Sequence, residues 1–126
     1  VIVDIHGEAT SEKMAMGHLA DGKASLVVGS HTHVPTGDAH ILEHGTGYQT
    51  DAGMCGDYNS VIGMEKTGSL QRFRRRFPSP RLSPAEGEGT LCGTFLETDD
   101  ATGLAKAISP VRIGGRLQEQ LPQFDD

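Results

Sequence analysis

The chain has 126 residues, of which 36% are hydrophobic and 22% charged, proportions ordinary for one globular domain with a moderate core. Intrinsic disorder and a membrane span are poor readings of such a sequence. Eleven Lys and Arg stand against 17 Asp and Glu, a formal charge of −6, so the chain as a whole does not match nucleic acid or an anionic membrane, and any phosphate it handles has to be met locally, with metal ions as the expected means.

Val1 to His6 reads as a largely apolar strand with no initiator Met or leader before it, which points to a fragment or to a chain whose earlier part is missing. Thr10 and Ser11 offer N-caps, with Glu12 in the first turn, for a helix of about three turns running to Asp21-Gly22-Lys23. Met16, Leu19 and Ala20 are its expected buried stripe. Ala24 to Val28 follows as a second strand, and strand, helix and strand within so short a stretch predict a βαβ unit with parallel pairing. His6 and the Gly29-Ser30-His31-Thr32-His33 turn then lie at one carboxyl edge of the sheet, the edge at which open α/β sheets carry their sites.

Ala39 to Thr50 fits a hairpin turning at Gly45 to Gly47, and residues 51–57 form a glycine-bearing loop. About Asn59 to Phe73 reads as a helix interrupted at Gly63 and Gly68. Phe77 to Glu86 is a proline-rich connection. Gly89 to Thr98 and Leu104 to Ile113 form a second hairpin, with a frayed tail after Gly115. The dense basic run from Arg72 to Phe77 reads as a solvated helix end, with an RNA or phosphate contact as the alternative. Cys55 and Cys92 can form at most one bridge and read as buried free thiols in a reducing cytoplasm.

Three of the six histidines, His6, His31 and His33, stand just beyond predicted strands. Neutral imidazole is a common ligand for Zn, Mn or Fe, and a strand end projects it from a rigid base into an open cleft. On a regular strand His31 and His33 would sit on one face about 7 Å apart, within one cleft and on different ions if the centre is binuclear. In that arrangement His33 serves one ion and His31 with His6 the other, and oxygen ligands have to come from elsewhere. His18, His40 and His44 read as surface or structural residues.

The run Gly29-Ser30-His31-Thr32-His33-Val34-Pro35-Thr36 resembles the histidine signature that closes calcineurin-like metallophosphoesterases. Residues 3–13, 50–56, 60–64 and 111–117 resemble, in order, the bacterial YmdB-like branch of that family. The resemblance covers the carboxyl-terminal half of such a protein. It implies an α/β fold, part of a four-layer α/β/β/α sandwich, with residues 1–117 as that half-domain and 118–126 as a tail. It also implies two divalent or mixed-valence metal ions, iron or manganese, and hydrolysis of phosphodiesters, with 2′,3′-cyclic nucleotides as the substrate class.

Carried over by position, His6 and His31 match the histidines of one metal and His33 that of the other. The family's early Asp, bridging acid, Asn ligand and catalytic His have no counterpart here, so no catalytic residue is assigned and the chain alone is expected to be inactive. Asp51, Gly53 and Gly56 are expected to shape the substrate cleft, and Glu8 and Thr10, with Ser11 and Glu12, to support the His6 turn unless they only start the helix. Cys55 stands where the family suggests Thr, and the Arg-rich run is more basic than its counterpart. Two other readings stay open. One is a non-catalytic module that binds a metal or a partner, including a second copy, through an exposed sheet edge. The other is a hydrolase with a single ion held by all three histidines and a water.

Overall fold

A computed structural model describes residues 1–75, 77, 78 and 80–122. Strand β1 (Ile2–His6), helix α1 (Thr10–Ala20) and strand β2 (Leu26–Ser30) form the expected βαβ unit, and β1 pairs with β2 in parallel, His6 opposite Ser30. The second strand begins two residues later than its apolar run suggests, which carries it up to the histidine turn. Strands β3 (His40–Ile41) and β4 (Gly47–Gln49) make the first hairpin, and β4 also pairs in parallel with β2, giving the sheet order β1-β2-β4-β3. Strands β5 (Leu91–Thr98) and β6 (Ala105–Ile113) form a separate antiparallel ribbon.

Alternation along β4 stacks these parts, because successive strand residues face opposite sides. Tyr48 faces α1, where Gly17 lets the helix come so close that an added Cβ would stand 2.7 Å from the Tyr48 ring. A Cβ on Gly47 would instead meet Leu96 of β5 at 2.7 Å, and Gln49 accepts a hydrogen bond from the Thr94 hydroxyl of β5 at 2.6 Å. The four-stranded sheet therefore lies between α1 and the ribbon. Ala24, Val27, Leu42 and Tyr48 form the core on the helix side, with Val3, Ile5, Met16 and Ala20 packed on it.

The inward face of α1 is Lys13, Met16, Gly17 and Ala20, the i, i+3, i+4, i+7 set, whereas Leu19 is 69% exposed. Met16 and Ala20 of the expected stripe therefore face inward, and Leu19 does not. The cap position is Ala9, with no side-chain bond, rather than Thr10 or Ser11. The second helix, α2, spans only Lys66–Phe73 and is capped by Glu65, whose carboxylate accepts from the Thr67 N–H. Upstream of it, Asp57 takes the Asn59 N–H and Ser60 the Gly63 N–H. These side chains offer the backbone an alternative to the helical ladder, so residues 59–64 turn instead.

The segment after Gly115 is folded back rather than frayed as far as Gln120: Arg112 and Gln120 exchange backbone hydrogen bonds, and the Arg112 guanidinium donates to Gln118 O and Gln120 Oε1. Residues 123–126 of the expected tail lie outside the described residues. Arg72, Arg74 and Arg75 are exposed at the end of α2, and Arg76 of the basic run lies outside the described residues. Cys92 is buried as expected, but Cys55 is exposed, and both are free. Among the described residues, no helix is long and apolar enough to cross a membrane.

Candidate metal centre

Parallel pairing of β1 with β2 puts His6 beside Ser30 and hence beside the turn that follows it. His6 Nδ1 is 3.0 Å from Ser30 Oγ, which in turn lies 3.4 Å from Asp4 Oδ1. A carboxylate only accepts, so the serine proton goes to Asp4, and the serine oxygen accepts from His6 Nδ1–H. That tautomer leaves the Nε2 lone pair of His6 facing His31, whose Nδ1 is 3.2 Å away, with the two rings edge to face. His33 is fixed in the same way, since its Nδ1 donates to the Ile62 carbonyl at 2.7 Å and its Nε2 keeps a free lone pair.

The 3.2 Å between His6 Nε2 and His31 Nδ1 suits two nitrogens on one ion: bonds of about 2.0–2.1 Å place neighbouring ligands about 2.9–3.4 Å apart between right-angle and tetrahedral geometry. The turn itself is not a strand. His31 and His33 have φ of 122° and 65°, so the separation of about 7 Å expected of a regular strand does not describe them. Among the described residues no three His, Cys, Asp or Glu side chains gather where one ion could be held. The structure thus joins His6 to His31, leaves His33 apart, and does not form the three-imidazole, single-ion site.

Asp51 is 1% exposed and is spoken for on every side. Its Oδ2 accepts from Thr32 N at 2.9 Å and Lys13 Nζ at 3.2 Å, and its Oδ1 from Gly53 N at 2.9 Å. Burial alone would raise its pKa, but the N–H groups of Thr32 and Gly53 and the Lys13 ammonium outweigh it and hold the group below the usual carboxylate value. Asp51 is thus buried against helix α1, the histidine turn and its own loop rather than open to solvent. Gly53, at φ 85°, lies beneath Pro35, whose nitrogen would be 2.7 Å from an added Cβ. Gly56 ties its loop to the ribbon by two backbone bonds with Thr90. The hollow beside the His33 turn, about 300 Å³, is lined by Val34, Pro35, Tyr58, Arg112, Leu117 and Gln118.

Glu8, Thr10, Ser11 and Glu12 are all exposed, and the support of His6 runs through Ser30 and Asp4 instead. His18 is exposed on α1, His40 packs edge to face on Tyr48, and His44 pairs with Asp21. The residue that sequence reasoning missed is Lys13. Its signal was its place in the i, i+3, i+4, i+7 stripe of α1, where a lysine among apolar and small residues calls for a buried partner.

Residues 1–111 match the family model described as YmdB-like protein. The chain is 46% identical over 113 residues to the 2′,3′-cyclic-nucleotide 2′-phosphodiesterase of Bacillus subtilis (strain 168), covering 90% of this chain and 42% of that protein. A crystal structure of a hypothetical protein from Thermus thermophilus superposes with a TM-score of 0.81 at 49% identity, over 90% of this chain and 44% of the other. A novel phosphatase from Mycoplasma pneumoniae gives a TM-score of 0.81 at 37% identity, over 88% and 40%. The chain spans about two fifths of the length of these relatives. With a family model matched over nearly all of its length, the chain belongs to the YmdB-like family.

Proposed function

We propose that this chain furnishes part of the active site of a binuclear metal-dependent phosphodiesterase acting on 2′,3′-cyclic nucleotides. His6 and His31 hold one ion, iron or manganese, and His33 the other. The observation that carries the reading is the 3.2 Å approach of His6 Nε2 to His31 Nδ1, with the other ring nitrogen of His6 engaged by Ser30. Support also comes from the name of the Bacillus relative. The layers α1, sheet and ribbon are three of a four-layer α/β/β/α sandwich in this reading, and the cell compartment is a reducing cytoplasm, where Cys55 and Cys92 remain thiols.

Bound ions would supply Lewis acidity at the phosphoryl oxygens and a water acidic enough to ionise near neutrality. The chain's own residues do the rest of what falls to them. Ser30 and the Ile62 carbonyl fix the tautomers of His6 and His33, so that each presents Nε2 as a lone pair. Concentrating metal ions here also offsets a chain charge of −6, which would otherwise repel a phosphodiester anion. Three imidazoles leave two ions under-ligated, so the remaining ligands and the general acid come from outside these residues.

The test compares the chain alone with a chimera in which it replaces the matching segment of the Bacillus relative. The chain alone is expected to give no turnover of 2′,3′-cyclic nucleotides. The chimera is expected to turn them over with added manganese, and His31→Ala in the chimera to lose at least about 100-fold, the upper end of what an outer hydrogen-bond partner of a metal ligand contributes. Turnover by the chain alone, or a chimera indifferent to His31→Ala, overturns the reading.

A further inference from the structure

The histidine turn is conformationally costly. His31 and His33 both lie at positive φ, 122° and 65°, a region that disfavours any residue with a side chain. Something has to hold the residue between them, and the structure shows what does. Thr32 N donates to Asp51 Oδ2 at 2.9 Å, while Gly53 N donates to the other oxygen of the same carboxylate at 2.9 Å. One carboxylate therefore clamps the turn to the loop that follows β4.

Burying a carboxylate to 1% exposure is costly unless it is paired and hydrogen-bonded, and the cation on this one is Lys13 Nζ at 3.2 Å, itself 1% exposed. Lys13 comes from α1 rather than from either loop. Its stem runs past Gly29, where an added Cβ would stand 3.0 Å from Lys13 Cδ and 1.8 Å from the Thr50 carbonyl oxygen. Helix, strand end and loop thus meet at one ion pair.

We propose that Lys13 is a positioning residue of the metal centre: through Asp51 and the Thr32 N–H it locks the His31-Thr32-His33 turn in its left-handed conformation and so sets where the His31 and His33 rings point. Its geometric content stands on the turn alone; its consequence for metal affinity rests on the reading of these histidines as ligands. Lys13 acts at a distance, touching neither imidazole.

The experiment uses the 126-residue chain labelled with 15N, in the wild type, in Lys13→Met and in the double variant Lys13→Met/Asp51→Asn, which removes both buried charges at once. In the wild type, Thr32 N–H is expected to resist hydrogen exchange as strongly as the Val27 N–H of β2, although Thr32 sits in a turn. In the double variant, Thr32 and Gly53 protection is expected to fall at least about 10-fold while Val27 is unchanged, and the ring 15N signals of His31 and His33 to shift. Affinity for cobalt(II), used as the probe, is expected to drop about 10–100-fold.

Exchange of wild-type Thr32 at the rate of an open turn overturns the proposal, even if neither variant folds. So does a folded double variant whose Thr32 protection and histidine ring signals match the wild type. A wild-type chain that takes up no cobalt counts against the metal reading only, because the exchange and ring signals still decide the role of Lys13.

Discussion

Gly29→Ala is the sharpest single test of how the site is built. An added Cβ would fall 1.8 Å from the Thr50 carbonyl oxygen and 2.9 Å from its carbon, with Lys13 Cδ at 3.0 Å. The first contact is about 1.5 Å short of ordinary van der Waals distance, and it is against backbone. Gly29 is itself fixed by pairing with Ile5 in β1 and by accepting the Ala52 N–H at 2.9 Å, so neither side can yield without losing ladder bonds. Overpacking of this kind costs about 3 kcal/mol or more, and about 4 °C of Tm per kcal/mol suits a domain of this size. The expected fall in Tm is about 10–15 °C by calorimetry, with a weakened His31 turn in the folded remainder. Gly93→Ala is the control, because nothing lies within 4 Å of its added Cβ, and its Tm should move by only a few degrees in either direction. A Gly29→Ala protein as stable as the Gly93→Ala one refutes the close approach of β2 to residue 50 on which the geometry of the turn depends.

Two further outcomes follow from buried polar contacts. Burial works to raise the pKa of Asp38, yet the hydroxyls of Thr50 and Thr36 and the Thr50 N–H outweigh it and hold the carboxyl below its ordinary 3.8. A folded-state pKa below the unfolded one gives stability that is complete above the unfolded value and lost as pH falls through the folded one. Urea midpoints measured from about pH 7 to about pH 2.5 should therefore drop below the ordinary carboxylate range, and Asp38→Asn should be weaker at neutral pH with a shallower acid decline; an unchanged acid slope refutes the assignment. Gln49, fully buried, donates to Thr36 O at 3.0 Å and accepts from Thr94 Oγ1 at 2.6 Å. Gln49→Leu should cost about 2–3 kcal/mol by leaving both partners unsatisfied, and the double variant with Thr94→Val should cost less than the sum of the singles in urea unfolding, whereas strict additivity would show that the two side chains do not bond.

The parts of the fold that read clearly from the residues are those governed by local pattern. Strand, helix and strand over residues 1–30 placed His6 and His31 at one edge, and the structure puts their nitrogens 3.2 Å apart there. Both hairpins were legible from their turn residues. What pattern could not supply was contact between distant segments. Lys13 and Asp51 are 38 positions apart, and a stripe assumed to be apolar hid the lysine in it. The expected helix from about 59 failed because Asp57 and Ser60 satisfy nearby N–H groups with their own side chains, a competition that periodicity does not register. The regular-strand spacing of His31 and His33 failed for a related reason: a tertiary carboxylate holds the turn in a conformation that neither histidine favours alone.

The central strand explains why this architecture can hold a site at an edge. Thr46, Gln49, Thr50 and Asp51 in and around β4 are all buried, at 0%, 0%, 4% and 1% exposure. Apolar residues there would bury as much area, but they would tolerate small slips of one layer over another. Each of these polar side chains instead binds a different element: Thr46 the Ala24 carbonyl, Gln49 the ribbon through Thr94, Thr50 the Asp38 carboxylate, and Asp51 both helix α1 and the histidine turn. A satisfied buried network contributes little net stability, because desolvation offsets most of the bonding, but it admits one relative placement of its partners. In this chain that placement is of the helix, the ribbon and the turn around one strand, so the backbone of the His31-Thr32-His33 turn is tied to the core through Asp51, while the His33 ring is held by the Ile62 carbonyl.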